Sequence, residues 1–324
     1  MLDQPTELPS SPAESAEILV DVKDVSRSYG DIRAVKNLSF SVCKGEVLGF
    51  LGPNGAGKTT TMQIISGNLA ADEGSITIAG HDLLQQPKAA KAALGYLPEQ
   101  PPLYRELTVN EYLDYCAALN RIARKQRKEA RERAKERTGL LDVGKRLIAN
   151  LSKGFQQRVG LAQAIIHSPP LVILDEPTIG LDPIQIRETR GLIRELGKDH
   201  GVILSTHILP EVQGSCDRVQ IINNGSLVLN DTIDGLVKHM RSLSLAVAFR
   251  RPPAPSQLEQ LAGVTAVQSD GGERLQILHR PGSDPTEEIV RLATQHDWGL
   301  YEIQPLGVSL EELFVELTTE GSRA

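Results

Sequence analysis

One short segment combines glycines with a lysine and threonines, residue types that together hold a phosphate group. Glycines let the backbone turn tightly, so that several N–H groups point at phosphate oxygens. Lys58 is placed to reach the β- and γ-phosphates of a nucleotide, Thr59 to ligate Mg²⁺, and Thr60 to touch the α-phosphate. The segment matches GxxxxGK[ST] at every fixed position and predicts a phosphate-binding loop. It consists of Gly52, Pro53, Asn54, Gly55, Ala56, Gly57, Lys58 and Thr59, followed by Thr60.

The elements on both sides of this loop agree with that interpretation. The apolar run EVLGFL at residues 46–51 is typical of a buried strand, and a helix is predicted to begin near Lys58. The N-terminal end of a helix carries partial positive charge and favours anions. A glycine-rich turn without function is the alternative, and the intact motif with its strand and helix argues against it.

Two neighbouring carboxylates follow a second apolar strand, LVILDEP at residues 171–177. Because the carboxyl ends of strands line the ligand crevice of open α/β sheets, Asp175 and Glu176 are expected there. Asp175 is expected to hold Mg²⁺ through water, and Glu176 to orient and deprotonate an attacking water. Such a general base contributes ~10² to 10⁴ in rate. A solvated acidic pair is the alternative, which weighs little beside a complete phosphate loop.

A phosphate loop alone fits kinases, GTPases, helicases and recombinases, and a third segment distinguishes among them. Residues 151–158, LSKGFQQR, precede the LVILDEP strand, open a helix and resemble the LSGGQ signature of ABC ATPases. IGLD at residues 179–182, ending at Asp182, resembles the D-loop of that family. His207, in STH, resembles its switch histidine, and Tyr29 stands where the family has an aromatic ring that stacks on adenine. The resemblance covers roughly residues 18–236.

The resemblance implies an ATPase that binds ATP with Mg²⁺ and works as a dimer. Lys58, Glu176 and His207 would carry the catalysis, while Ser152 and Gly154 would complete the nucleotide site of a second subunit. That dimer would be a homodimer, or a heterodimer with a related ATPase, around two ATP molecules. It would drive a separate transmembrane permease from the cytoplasmic face of the plasma membrane, as a peripheral subunit, and nucleic acid is not an expected partner.

Three positions depart from the family pattern. Lys153 replaces the first glycine of the signature, and Phe155 replaces its glutamine. Glu99 stands at the usual glutamine of the Q-loop, with Gln100 beside it, where a carboxylate can still contact Mg²⁺ or its water. The SKG variant resembles exporter-type members that serve drug or lipid permeases. GYLPE followed by PLY and ELTVNEYL resembles the same subgroup, which includes gliding-motility ATPases.

Length, charge and cysteine content set limits on the class of protein. The 324 residues predict two domains at about 150 residues each. A net charge of −6 argues against a nucleic-acid binder by bulk electrostatics. Three cysteines without CxxC spacing argue against a disulfide framework and a structural zinc site, and favour a reducing cytoplasm. No apolar run reaches the roughly 18 to 20 residues that span a bilayer, and residues 1–17 are predicted to be a disordered leader.

The predicted fold class is α/β. Residues 18–236 are predicted to form the P-loop NTPase (ABC ATPase) domain, with an antiparallel N-terminal β-part, a mostly parallel sheet and a helical insert at about 108–160. Its first strands are predicted at 18–25 and 38–43, and a hairpin at 219–230 turns at Asn224-Gly225.

Residues 237–324 predict a small α+β accessory domain of the order βαββαβ, which is ferredoxin-like. Its core is expected to include Trp298 and Tyr301, and a final helix is expected from Ser309, capped by Ser309 and Glu312. Strands are predicted at 242–250, 263–269, 273–280 and 298–305, and helices at 255–262 and 284–296.

Two alternatives stay open at this point. The segment at residues 121–137 carries nine basic and three acidic side chains. It fits a solvated helix face with intrahelical ion pairs, a contact with the membrane partner, or a surface for nucleic acid or anionic lipid. The rival function is a soluble ABC ATPase that acts on nucleic acid or ribosomes. Such proteins usually carry two cassettes or a long coiled coil, whereas this chain has one cassette and no long heptad run.

Overall fold

The computed structural model describes residues 17–240, 244–269, 272, 274–280 and 283–305, without the side chains of residues 237–240. The chain divides into two units, one ending at Ile233 and one beginning at Asp234; the sequence placed this division after residue 236. Residues 1–16 of the expected leader at 1–17 and the expected helix from Ser309 lie outside the described residues. No helix in the described part of the chain is both long and apolar enough to cross a bilayer.

The first unit begins with an antiparallel sheet of four strands in the order β2-β1-β4-β5. Its members are β1 (Ile18–Tyr29), β2 (Ile32–Cys43), β4 (Glu73–Ile78) and β5 (His81–Asp82). The predicted bounds of the first two strands were wrong, because β1 and β2 form one long hairpin. Asp24 and Asn37 have left-handed backbones, and several register shifts interrupt the pairing, so the two-residue alternation that reveals a strand is lost there.

A six-stranded sheet forms the centre of the first unit, in the order β10-β9-β3-β8-β7-β6. The strands are β3 (Val47–Leu51), β6 (Leu94–Leu97), β7 (Leu171–Asp175), β8 (Gly201–Thr206), β9 (Arg218–Asn223) and β10 (Ser226–Thr232). All neighbours pair in parallel except β9 and β10. Every residue of β3, β7 and β8 is buried. Because these three strands run parallel, their carboxyl ends meet at one edge of the sheet.

The turn between β9 and β10 confirms the hairpin prediction. Asn224 and Gly225 have φ values of 47° and 82°, as a two-residue type I′ turn requires.

Helices cover this sheet and build the insert. Thr108 caps α3, accepting from Glu111 N at 3.3 Å, while the Glu111 carboxylate accepts from Thr108 N at 2.8 Å. The insert contains α3 (Val109–Leu119), α4 (Arg127–Thr138) and α5 (Lys153–Ile165). The remaining helices of this unit are α1 (Lys58–Ile65), α2 (Pro87–Ala92), α6 (Pro183–Gly197) and α7 (Leu209–Ser215); α8 (Ile233–Met240) begins at the boundary.

The basic segment of the insert takes part in ion pairs. Arg131 contacts Asp114 at 2.5 Å, and Arg137 contacts Asp199 at 3.0 Å. Lys135 is buried, contacts Glu132 at 3.0 Å and donates to Asn110 Oδ1 at 2.9 Å. Much of the positive charge on α4 is therefore matched inside the chain.

The second unit has the strand order of a ferredoxin-like sheet, β12-β13-β11-β14, with antiparallel neighbours throughout. Trp298 lies in its core against Phe249 at a ring distance of 5.8 Å. Tyr301 is half exposed, so its predicted core position was wrong. It follows Leu300, which packs on the core, and consecutive strand side chains point to opposite faces. The elements are β11 (Ser244–Phe249), α9 (Pro255–Glu259), β12 (Val264–Ser269), β13 (Arg274–His279), α10 (Thr286–Gln295) and β14 (Leu300–Pro305).

Candidate active site

The phosphate-loop segment connects β3 to α1. At two of its positions the backbone has a conformation that favours glycine. Gly55 and Gly57 have φ values of +80° and +105°. A Cβ on Gly57 would lie 2.4 Å from the carbonyl oxygen of Ala34, so any other residue would displace backbone there. The loop therefore keeps a shape in which α1 begins at the floor of a pocket.

That pocket has a volume of about 520 Å³ and gathers residues from distant parts of the sequence. The loop, the segment after β6, the end of β7 and the end of β8 all contribute, because these parallel strands end at the same edge. Its lining consists of Ala34, Asn54, Gly55, Gly57, Lys58, Thr59, Thr60, Glu99, Glu176, Ile179 and His207.

Lys58 supplies a positive charge at the first residue of α1. Its side chain is 6% exposed, and Nζ donates to the carbonyl oxygens of Gly52 at 2.9 Å and Pro53 at 3.2 Å. The same Nζ lies 3.5 Å from Glu176 Oε1. An ammonium group held beside a helix N-terminus makes this end of the pocket suited to an anion. Ala56, within the loop, is buried.

Asp175 and Thr59 face each other where β7 ends and α1 begins. Asp175 is fully buried, and its Oδ1 lies 3.5 Å from Thr59 Oγ1. Asp175 Oδ2 is buried without a hydrogen-bond partner among the described residues. Burial raises the pKa of Asp175, and the charges of Glu176 and Glu99 raise it further. A desolvated carboxylate oxygen beside a hydroxyl fits the oxygen-ligand preference of Mg²⁺.

Glu176 and His207 are joined across the ends of two neighbouring strands. His207 Nδ1 lies 2.9 Å from Glu176 Oε2 and 3.1 Å from Oε1. Glu176 is 6% exposed, and its backbone has a φ of +48°, which is unusual for a residue with a side chain. Its N–H donates to Ser205 O at 2.9 Å, which ties the turn after β7 to β8. A carboxylate and an imidazole at this distance can pass or share a proton.

The signature segment and the predicted D-loop aspartate lie at helix N-termini. Ser152 caps α5, accepting from Phe155 N at 3.4 Å. Asp182 caps α6, accepting from the backbone N–H groups of Ile184 at 3.0 Å and Gln185 at 2.9 Å. A Cβ on Gly154 would lie 2.6 Å from the Gln185 side chain, so these two helix ends pack closely.

Seven of the predicted nucleotide contacts do not line the pocket. Gly52, Pro53 and Ala56 of the phosphate loop are absent from its lining, and so are Tyr29, Ser152, Gly154 and Asp182. Tyr29 ends β1, is 47% exposed, and has the Arg27 guanidinium 5.3 Å from its ring centroid. One chain therefore brings the phosphate loop, Glu99, Glu176 and His207 together, but not the signature.

Known proteins share both the sequence and the fold. A family model described as ABC transporter matches residues 35–179. The uncharacterized ABC transporter ATP-binding protein YdbJ of Bacillus subtilis is 34% identical, over 94% of this chain and 96% of its own. This chain belongs to the ABC transporter ATP-binding proteins.

Two further relatives of this ABC ATPase subunit carry more specific names. The linearmycin resistance ATP-binding protein LnrL of Bacillus subtilis is 32% identical over 93% of this chain and 98% of its own. The solved structure of CbiO1 from Clostridium perfringens, part of the ABC transporter complex CbiONQ, is 26% identical. It has a TM-score of 0.62 and covers 68% of this chain and 91% of CbiO1. The likeness confirms the predicted ATPase fold.

Sequence reasoning missed two residues of the ABC ATPase pocket, Ala34 and Ile179. Neither side chain carries a polar or charged group. Ile179 is the first residue of the predicted D-loop, and Ala34 belongs to no predicted motif. The carbonyl of Ala34 reaches the loop only because β2 lies against it in space, so no signal along the sequence could have found it.

Proposed function

We propose that this ABC ATPase subunit drives export through a separate membrane permease, as a dimer that encloses two ATP molecules. The observation that carries the proposal is Glu176, which lies 3.5 Å from Lys58 Nζ and 2.9 Å from His207 Nδ1 in a pocket that residues of the phosphate loop line. A binding module without hydrolysis would not need a buried carboxylate held against an imidazole.

The phosphate loop would bind the triphosphate. The Lys58 ammonium would reach the β- and γ-phosphates, either in place of its hydrogen bonds to the carbonyl oxygens of Gly52 and Pro53 or in addition to them. Backbone N–H groups of Gly55 and Gly57 and the start of α1 complete the cradle. Thr60 also lines the pocket, which supports its assignment to the α-phosphate.

Thr59 and Asp175 would hold Mg²⁺, with Asp175 acting through water and Glu99 contacting the ion or its water. When bound, the ion neutralises charge on the phosphates during transfer. Glu99 lines the same pocket, so its carboxylate adds an oxygen where the family has an amide.

Glu176 would accept a proton from the attacking water, and His207 would hold Glu176 in place. Because Glu176 is nearly excluded from solvent, its orientation depends on its two partners, Lys58 and His207. The ion pair with Lys58 and the hydrogen bond with His207 fix the carboxylate oxygens at the end of β7.

The signature would act on the nucleotide of a second subunit. Ser152 and Gly154 do not line the pocket of their own chain, and they stand at the N-terminus of α5, an anion-favouring position. A head-to-tail dimer, with itself or with a related ATPase, places that helix end against the γ-phosphate. Asp182 would lie at the same interface, and Tyr29 would stack on adenine.

The proposals of a permease partner and of export are based on the names of the relatives. LnrL is named for resistance to linearmycin, and CbiO1 is named as part of a transporter complex. The proposed location is peripheral, at the cytoplasmic face of the plasma membrane. The transported molecule would be selected by the permease.

Affinity purification of a tagged Glu176→Gln chain from gently solubilised membranes of its host tests the proposal. With ATP present, a multi-spanning protein should co-purify in roughly equal amount. The same purification with Lys58→Ala, which lacks the phosphate-binding ammonium, should lose the dependence on ATP. Recovery of ribosomal or nucleic-acid components instead would favour the rival, a soluble ABC ATPase.

A further inference from the structure

Glu211 is a buried acidic residue that the proposed mechanism does not use. It lies on α7 and is 1% exposed. One carboxylate oxygen accepts a hydrogen bond from the Thr178 hydroxyl, and the other accepts from the Thr206 hydroxyl at 2.7 Å. Burying a carboxylate costs free energy unless its hydrogen bonds are made. A glutamate at this buried position therefore calls for a structural or functional explanation.

The two hydroxyls flank the two residues proposed for catalysis. Thr178 follows Glu176 by two positions, at the start of the segment whose Ile179 lines the pocket. Thr206 comes directly before His207, and its Oγ1 also accepts from Ile208 N at 3.1 Å. One carboxylate therefore joins the turn after β7 to the turn after β8.

The turn after β7 needs such support. The backbone of Glu176 has a φ of +48°, a conformation that persists in a residue with a side chain only when its surroundings hold it. The bond between Glu176 N and Ser205 O holds the turn from one side. The bonds from Thr178 and Thr206 to Glu211 hold it from the other.

We propose that Glu211 is a positioning residue, which sets the distance of 2.9 Å between His207 Nδ1 and Glu176 Oε2 through the two threonines. This inference rests on the proposed roles of Glu176 and His207. Glu211 does not line the pocket, so it acts on the rate of hydrolysis and leaves nucleotide binding to the phosphate loop.

The first test compares steady-state ATP hydrolysis by Glu211→Ala and the wild type, as the full chain. We expect kcat to fall by about 10- to 100-fold, because a small misplacement of catalytic groups has effects of this size. We expect KM for ATP to change by less than about twofold, since the groups that bind phosphate stay in place. Glu211→Gln keeps the side-chain volume and one acceptor oxygen. Its kcat should therefore lie between the values of the wild type and Glu211→Ala.

Glu46→Ala is the matched control. Glu46 is also a nearly buried carboxylate with hydrogen bonds, to Arg218 Nε at 2.6 Å and Cys43 N at 2.7 Å. It precedes β3 and therefore lies at the opposite edge of the sheet from the pocket. It should lower the melting temperature while kcat stays near the wild-type value.

A double-mutant cycle with Thr178→Val separates positioning from general damage. If the hydroxyl acts through Glu211, the two changes together should cost no more in kcat than Glu211→Ala alone. A crystal structure of Glu211→Gln should show the Glu176–His207 pair displaced. This readout also applies if the alanine variant does not fold.

The outcomes separate this inference from the proposed function. If Glu176→Gln abolishes hydrolysis but Glu211→Ala and Glu211→Gln keep the wild-type kcat, the positioning role falls and the proposed mechanism stands. A joint loss of kcat and ATP affinity, or fully additive effects in the cycle, would likewise overturn the positioning role. If Glu176→Gln hydrolyses ATP normally, the proposed role of Glu176 fails and the inference fails with it.

Discussion

His207 Nδ1 lies 2.9 Å from Glu176 Oε2, across the ends of the adjacent parallel strands β8 and β7. The two residues are 31 positions apart in the chain. The parallel pairing of their strands places them at one edge, and the turns that follow direct both side chains to the same pocket. This relationship makes Glu176 the residue whose loss should affect hydrolysis most directly.

Replacing Glu176 by glutamine should lower kcat for ATP hydrolysis by about 10² to 10⁴, because the amide cannot accept the proton of the attacking water. Binding of ATP should persist, since Lys58 and the loop are unchanged. Phosphate release measures the rate, and light scattering with saturating ATP measures association. A mutant that stays monomeric at saturating ATP would contradict the proposed dimer.

Replacing Lys58 by alanine should weaken ATP binding severely, because Lys58 is the buried cation within the phosphate loop. Charge-assisted bonds of this kind contribute about 1.5–3 kcal/mol each, so the dissociation constant should rise about tenfold or more. Isothermal titration with ATP measures it.

Lys91→Ala is the matched control for that measurement. Lys91 Nζ also donates to a backbone carbonyl, of Gly67 at 2.8 Å, but it lies outside the pocket lining. Its removal should leave the affinity for ATP unchanged. Equal weakening by both variants would show that the effect comes from net charge.

Gly95→Ala should destabilise the first unit. Gly95 lies on β6, and a Cβ there would stand 2.0 Å from the carbonyl oxygen of Ala164 on α5, a contact with backbone that cannot move aside freely. Such overpacking costs about 1–3 kcal/mol. Urea denaturation followed by circular dichroism measures the free energy of unfolding.

Gly191→Ala should instead stabilise the first unit, measured by the same urea denaturation. Gly191 lies on α6, and a Cβ there would meet no atom within 4 Å. Alanine in an exposed helix is favoured over glycine by about 1 kcal/mol. If both alanine variants were destabilised equally, the close approach of β6 and α5 would not be the cause.

Stability should fall as the pH drops below about 6.5, the pKa of a histidine in the unfolded chain. His200 is buried, with Nδ1 2.5 Å from Pro169 O and Nε2 3.1 Å from Arg137 Nη1. Burial lowers the pKa of His200, and the charge of Arg137 lowers it further. Burial also lowers the pKa of His167.

The sign follows from which state takes up the proton first. Because the folded pKa is depressed, the contribution of His200 is fully present above pH 6.5 and is lost as the pH falls through the folded pKa. Urea denaturation at a series of pH values between 7.5 and 5 measures this loss. His200→Gln should reduce the slope, and an unchanged slope would contradict the assignment.

The sequence by itself determined the fold class and most of the chemistry at the site. A phosphate loop has fixed residue types because its backbone shape and its charge both depend on them, so Gly55, Gly57 and Lys58 were recognisable in one segment. The strands β3, β7 and β8 were equally clear, because a strand buried on both faces is a continuous apolar run. The Asn224-Gly225 turn was predictable from its backbone requirement alone.

Only the tertiary structure decided how these pieces meet. The long β1–β2 hairpin escaped prediction because bulges interrupt its alternation, and Tyr301 faces outward because its strand register sets its direction. The hydrogen bonds from Thr178 and Thr206 to Glu211 could not be predicted either, because threonine and glutamate are common residues and no motif marks these three. Contacts between distant segments depend on strand order and helix packing, and local residue patterns carry no record of them.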